Sequence, residues 1–296
     1  MSGLYTASEV HCHVRSISLP SRLHPTSQKI ETQLEKLRKW DSLISSSSAD
    51  IIKAGLRGLA ELYNCVHQFL DSPLNHHQEE ERHLEKALDM SVGLLDVCGS
   101  ARDLFLLMKE HVQDLHSLLR RKGLDYSSIK TQINAYISFR KKVKKDISKS
   151  LRSLKTMESS FKSSYPLLNT DHHGWIVIKV LRELSSITIS FFRKLLLFLC
   201  VPVLKKNSSG LSLISRMVFK GNGREKRIIS EMEGIDIALC YFHRAIEKSD
   251  AKTDVHVVKR KLQELDGNIR EFETELDCLF RCLIQHRVSL LNLLTP

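Results

Sequence analysis

The stretch that decides the fold is VHVVKRKLQELDGNIREFETELDCLFRCLIQHRVSLLNL, residues 255–293. Twelve of its positions follow one another at alternating steps of three and four residues, and eleven of them are apolar. These positions are Val255, Val258, Leu262, Leu265, Ile269, Phe272, Leu276, Leu279, Leu283, His286, Leu290 and Leu293. Such spacing over more than five heptads predicts a long, coiled-coil-like helix. Its apolar row needs a partner, either the other helices of the same monomer, which we favour, or a second copy in a homodimer through 255–293.

The rest of the chain is also predicted to be helical. Among its 296 residues are 12 glycines and 6 prolines, about half the average usage and too few for a sandwich or barrel with frequent turns. Apolar residues at helical spacing predict helices over 28–44, 52–70, 84–123, 127–161, 175–200, 211–220 and 224–248. The third and fourth should form an antiparallel hairpin. The serine run 45–48 or Asp50 can cap the second helix, and Ser127 can cap the fourth. We therefore expect an all-α protein whose long antiparallel helices form an elongated bundle over residues 27–296, preceded by a disordered tail, 1–26.

Positive charge is concentrated in one segment. The net charge is +11, with 45 Lys and Arg against 34 Asp and Glu, and residues 120–162 hold 13 of the basic residues but only three acidic ones. Such a concentrated charge predicts a docking face for an anionic partner, although a merely solvated helix face is the alternative. An anionic membrane surface fits, whereas nucleic acid is disfavoured because stacking aromatics are missing. The candidate residues are Arg120, Arg121, Lys122, Arg140, Lys141, Lys142, Lys144, Lys145 and Lys149.

The tail carries a second candidate binding site. Arg15, Ser16, Ser18 and Pro20 fit the R-S-x-S-x-P pattern that 14-3-3 proteins bind once the second serine is phosphorylated. A phosphate in an extended segment can enter an arginine cluster of such a partner. The alternative is a basic, serine-containing tail that matches the pattern by chance.

No pattern in the sequence indicates catalysis. A nucleophile elbow, a phosphate loop and a zinc signature are all missing, so we assign no catalytic, cofactor or metal residue. The seven cysteines are scattered, which predicts reduced thiols in an intracellular, cytoplasmic protein. The longest apolar run, 195–201, is too short to span a membrane, and peripheral membrane attachment is the alternative location.

Several blocks of the sequence carry a family resemblance. They are HVRSISLPSR (13–22), LLDVCG (94–99), LLRRK (118–122), RKKVKK (140–145), FRCLI (280–284) and RVSLLN (287–292). In this order they resemble the plant-specific domain of unknown function 241 family, also called BYPASS-like, although the tryptophan expected near Leu211 is missing. The resemblance implies an all-helical protein without assigned enzymatic activity, associated with root and shoot development. We expect a non-enzymatic regulatory or interaction protein; the alternative is a peripheral membrane or lipid-binding protein that uses 120–162.

Overall fold

Seven helices account for nearly all of the described part of the computed structural model, which comprises residues 25–43, 48–71, 78–121, 125–162, 172–200, 231–247 and 254–295. In chain order they are α1 (Pro25–Leu43), α2 (Ala49–Leu70), α3 (Gln78–Arg120), α4 (Tyr126–Lys162), α5 (His172–Leu199), α6 (Glu231–Glu247) and α7 (Asp254–Leu294). These ranges contain no strand. The expected all-α architecture of long helices is confirmed. The predicted tail 1–26 up to residue 24, the helix 211–220 and the start of the helix 224–248 lie outside the described residues.

Helix α7 lies between α2 and α3 and also contacts α6. It runs parallel to α2, since Lys53 contacts Asn268 and Asn64 contacts Cys282. It runs antiparallel to α3, where Gln113 bonds to Asp266 near one end and Arg287 bonds to the carbonyl of Leu88 near the other. Ion pairs connect α7 to both of these helices. Lys109 Nζ of α3 lies 2.6 Å from Glu273 Oε2, and Arg57 of α2 pairs with Glu275.

The apolar row of α7 is satisfied by helices of the same chain. Ten of its twelve positions are buried, and the outermost two, Val255 and Leu293, are half-buried. In this structure the row packs within the chain, as the preferred interpretation expects, and the oligomeric state stays a prediction. A homodimer through 255–293 would have to draw these side chains out of the core.

Several of the other helices pack around α5 rather than around α7 alone. Helix α5 packs against α1, α2, α3 and α4, and its contact with α2 needs a glycine. A Cβ on Gly55 would overlap Cε1 of Phe191, a ring that is fully buried. The predicted α3–α4 hairpin is confirmed: Gln132 Nε2 bonds to Asp114 Oδ2 at 3.1 Å, and Met157 fills the space over Gly93.

The start of α4 differs from the prediction. Asp125, not Ser127, caps the helix, because its Oδ1 accepts the backbone N–H groups of Ser127 at 3.0 Å and Ser128 at 3.3 Å. Hydrogen bonds from Ser128 and Ser127 lower the pKa of the Asp125 carboxyl, as expected for an ionised cap at the positive end of a helix. Ser48 does precede α2 with an extended backbone, but its side chain makes no capping bond.

Candidate functional site

The phase of apolar residues along α4 determines which of its cations meet solvent. Its buried positions recur at steps of three and four residues and face α3, α5 and α6. They include Ile129, Ile133, Tyr136, Arg140, Val143, Ile147 and Leu154. Because a helix turns once in 3.6 residues, the positions between these point outward.

The outward positions form a cationic surface that we call the basic face. Its members are Lys141, Lys142, Lys144, Lys145, Lys149, Arg152 and Lys155, all of them exposed. Lys141, Lys145 and Lys149 follow one another at steps of four, so they share one side of the helix. From Lys141 to Lys155 the basic face extends about 21 Å at 1.5 Å per residue.

Few acidic groups neutralise this face. Asp146 is the acidic partner of Lys149, with Oδ1 3.5 Å from Nζ, and the other six cations have none within the part of the chain that the structure describes. In contrast, cations between the other helices are commonly paired, as in the contact of 2.6 Å between Arg102 and Asp277. Unpaired like charges at this spacing produce a positive potential that extends into solvent by about the Debye length, ~8 Å at physiological salt.

The basic face is confined to one side of the α3–α4 hairpin. Helix α3 exposes Asp96, Asp103 and Glu110, each seven residues from the next, so the neighbouring helix is acidic where α4 is basic. Arg120 and Arg121 are exposed at the end of α3, close to the turn and about 22 Å along the axis from Lys141. They are therefore separate from the basic face, and the predicted Lys122 lies outside the described residues.

Arg140 does not belong to the basic face, contrary to the sequence prediction. Its side chain is 1 % exposed and forms an ion pair with Asp236, with Nη2 3.0 Å from Oδ2. Its Nε also donates to this carboxylate, and its Nη1 donates to the carbonyl of Leu199 at 2.8 Å. The guanidinium thus joins α4, the last turn of α5 and α6.

A tyrosine completes this buried cluster. The hydroxyl of Tyr136 donates to Oδ1 of Asp236 at 2.7 Å. Burial and the nearby Asp236 carboxylate raise the pKa of Tyr136 well above its ordinary value, so the hydroxyl keeps its proton and remains a donor. Each polar side chain of the cluster bonds to another group of the protein, which indicates that the cluster holds the three helices together.

The described residues form no reactive-thiol or metal site. Burial raises the pKa of Cys98 to about 12 and that of Cys282 to about 11, so these thiols stay protonated. Within the described residues, no group of three or more His, Cys, Asp or Glu side chains could hold a metal ion. No helix among them is long and apolar enough to cross a bilayer. The tail residues Arg15, Ser16, Ser18 and Pro20 lie outside the described ranges.

Comparison with known proteins identifies one family. The family model described as Protein BPS1 matches residues 55–293, from within α2 to the end of α7, and this covers most of the chain. The matched region includes the basic face and the Arg140 cluster, whereas α1 and the tail precede it. Neither the curated proteins nor the solved structures give a significant match.

Proposed function

Since the chain belongs to the Protein BPS1 family, we propose that it is a regulatory protein of plant cells that acts by binding a partner rather than by catalysis. The family association with root and shoot development gives the process in which this binding takes part. The binding surface is the basic face of α4, and its partner is negatively charged.

One observation carries the proposal: six neighbouring cations of the basic face have no acidic partner among the described residues. Keeping like charges close together costs electrostatic free energy, so a stability requirement alone would favour mixed signs at these exposed positions. An anionic partner would relieve the repulsion and would be attracted over the range of the potential.

The test is a pair of charge-matched variants. The face variant replaces Lys141, Lys145, Lys149 and Arg152 by Gln. The control variant replaces four exposed cations of α1 and α3 by Gln, namely Lys29, Lys39, Arg82 and Lys86. Both variants lose four positive charges at solvated positions, where substitutions usually change the unfolding free energy by no more than about 0.5 kcal/mol.

Each variant is expressed at equal level in plants that lack the endogenous protein, and root and shoot growth are measured. We expect the control variant to restore growth and the face variant to fail. Normal growth with the face variant would show that regulation does not pass through the basic face. Circular dichroism and thermal unfolding of both purified variants verify that neither substitution set alters the fold.

A further inference from the structure

We infer that the partner of the basic face is the anionic headgroup layer of a membrane, bound at its surface. This inference rests on the proposed function, because it names the partner of the same face. Three features of the described residues support it: the type of cation, the lack of exposed large apolar side chains on α4, and the length of helix over which the cations extend.

The basic face is built of lysine. Six of its seven cations are lysines, and Arg152 is the exception. Interfaces between proteins are enriched in arginine and depleted in lysine, because the planar guanidinium makes directional paired hydrogen bonds to a fixed carboxylate. A lysine ammonium is a compact charge without such geometry, which suits a layer of mobile phosphate and carboxylate groups. Clusters of four to eight basic residues on a helix are typical of binding to acidic phospholipids.

The face offers charge without apolar anchors. The exposed large apolar side chains of the described residues lie on α3, α5 and α7, and none lies on α4. A protein partner would normally need a buried aromatic or aliphatic anchor at the centre of the interface. Single-stranded nucleic acid would need aromatic side chains for base stacking. An anionic lipid surface needs neither, since attraction to its headgroups is electrostatic.

The cations of the basic face extend along α4. Lys141, Lys145 and Lys149 share one side of the helix, and the basic face spans about 21 Å, so several of its cations can approach a layer of headgroups together. The attachment would be peripheral, consistent with a described part of the chain in which no helix can cross a bilayer.

The inference is tested by sedimentation with vesicles. The full-length protein, the face variant and the control variant are mixed with vesicles of phosphatidylcholine alone or with about one third phosphatidylserine. We expect wild-type protein to sediment only with the anionic vesicles and to be released by high salt. Each basic residue near the surface should change partition about fivefold, so the face variant should bind at least about 100-fold more weakly. The control variant should stay within about fivefold of wild type.

Three results would overturn the inference. The first is equal sedimentation with both kinds of vesicle or with neither; the second is an equal loss of binding in the two variants, which would reflect net charge alone. The third is stronger binding of wild type to polyglutamate or to duplex DNA than to anionic vesicles. In that case loss of binding by the face variant would leave the proposed function intact with a different partner. If the face variant also restores growth in plants, the proposed function fails as well.

Discussion

Removal of the Asp236 carboxylate should destabilise the protein far more than the loss of any exposed charge. The variant Asp236→Ala leaves the Arg140 guanidinium inside the bundle with the Leu199 carbonyl as its remaining acceptor. It also takes away the acceptor of the Tyr136 hydroxyl, which bonds to Asp236 at 2.7 Å. Two buried donors therefore lose a partner at the place where α4, α5 and α6 meet.

The magnitude follows from the burial of the pair. Arg140 and Asp236 have side chains only 1 % and 4 % exposed, so solvent cannot replace the lost interaction. Breaking such a pair by removing one member costs about 3–5 kcal/mol, and we expect Asp236→Ala to cost about 4 kcal/mol. The double variant Arg140→Met with Asp236→Leu leaves no uncompensated charge. It should recover at least about 2 kcal/mol, because well-packed apolar residues replace buried ion pairs at little cost.

The assay is urea unfolding followed by circular dichroism. Unfolding free energies are compared between variants whose free energy falls with urea concentration at the same slope. The matched control is Glu264→Ala, which removes an exposed ion pair with Arg260 whose side chains are 62 % and 70 % exposed. This control should cost no more than about 0.5 kcal/mol. The reasoning is refuted if Asp236→Ala costs less than about 1 kcal/mol more than the control, or if the double variant is less stable than the single.

Three further predictions concern other parts of the chain. Burial, together with His67, lowers the pKa of His286 from 6.5 to about 4, so the folded state binds this proton less readily than the unfolded chain. The unfolding free energy should therefore fall as the pH falls below about 6.5, by about 2 kcal/mol at pH 5. Urea unfolding at pH 7.5 and at pH 5 measures this decrease, which should be smaller in His286→Leu than in wild type. An equal decrease in both proteins would show that His286 is not the group responsible. The variant Gly55→Ala should lower the unfolding free energy by about 1–3 kcal/mol, because its methyl group overlaps the buried Phe191 ring. The control Gly99→Ala has open space around the new methyl group and should be neutral or stabilising by up to about 1 kcal/mol. Equal thermal midpoints for the two variants would refute the packing argument. A peptide of residues 13–22 phosphorylated at Ser18 should bind a 14-3-3 protein in a calorimetric titration. If it binds no more tightly than the unphosphorylated peptide, the tail is not a phosphorylation-dependent 14-3-3 site.

The long helices are the part of the fold that local sequence patterns determine. The row from Val255 to Leu293 repeats without interruption, and low glycine and proline content leaves few alternatives to helix. The sequence predicts the start of α3 at residue 84, which is too late, because the polar stretch from Gln78 to His83 has no apolar periodicity. Its Gln, Glu and Arg residues are nevertheless good helix formers, and the helix includes them.

The arrangement of the Arg140 cluster depends on contacts that no local pattern contains. Arg140 lies on the same side of α4 as the buried Tyr136, Val143 and Ile147, because these positions follow one another at steps of three or four. This spacing is the signal that Arg140 faces the core. Its position within RKKVKK instead suggested an exposed cation. The partner Asp236 is 96 residues away along the chain, so its pairing follows only from the packing of α6. The cap of α4 is a smaller case, in which Asp125 and Ser127 are both suitable residues and only the backbone geometry decides between them.

The position of α7 between α2 and α3 constrains how the protein folds during synthesis. It is the last described helix in the chain, yet it separates α2 from α3 and buries ten positions of its apolar row against its neighbours. While the ribosome is still making the C-terminal segment, the apolar surfaces of α2 and α3 that later contact α7 have no cover. Nascent chains with exposed apolar surface aggregate or recruit chaperones. A premature stop before Val255 would therefore not yield a shortened but functional bundle: it would leave a chain whose core never closes.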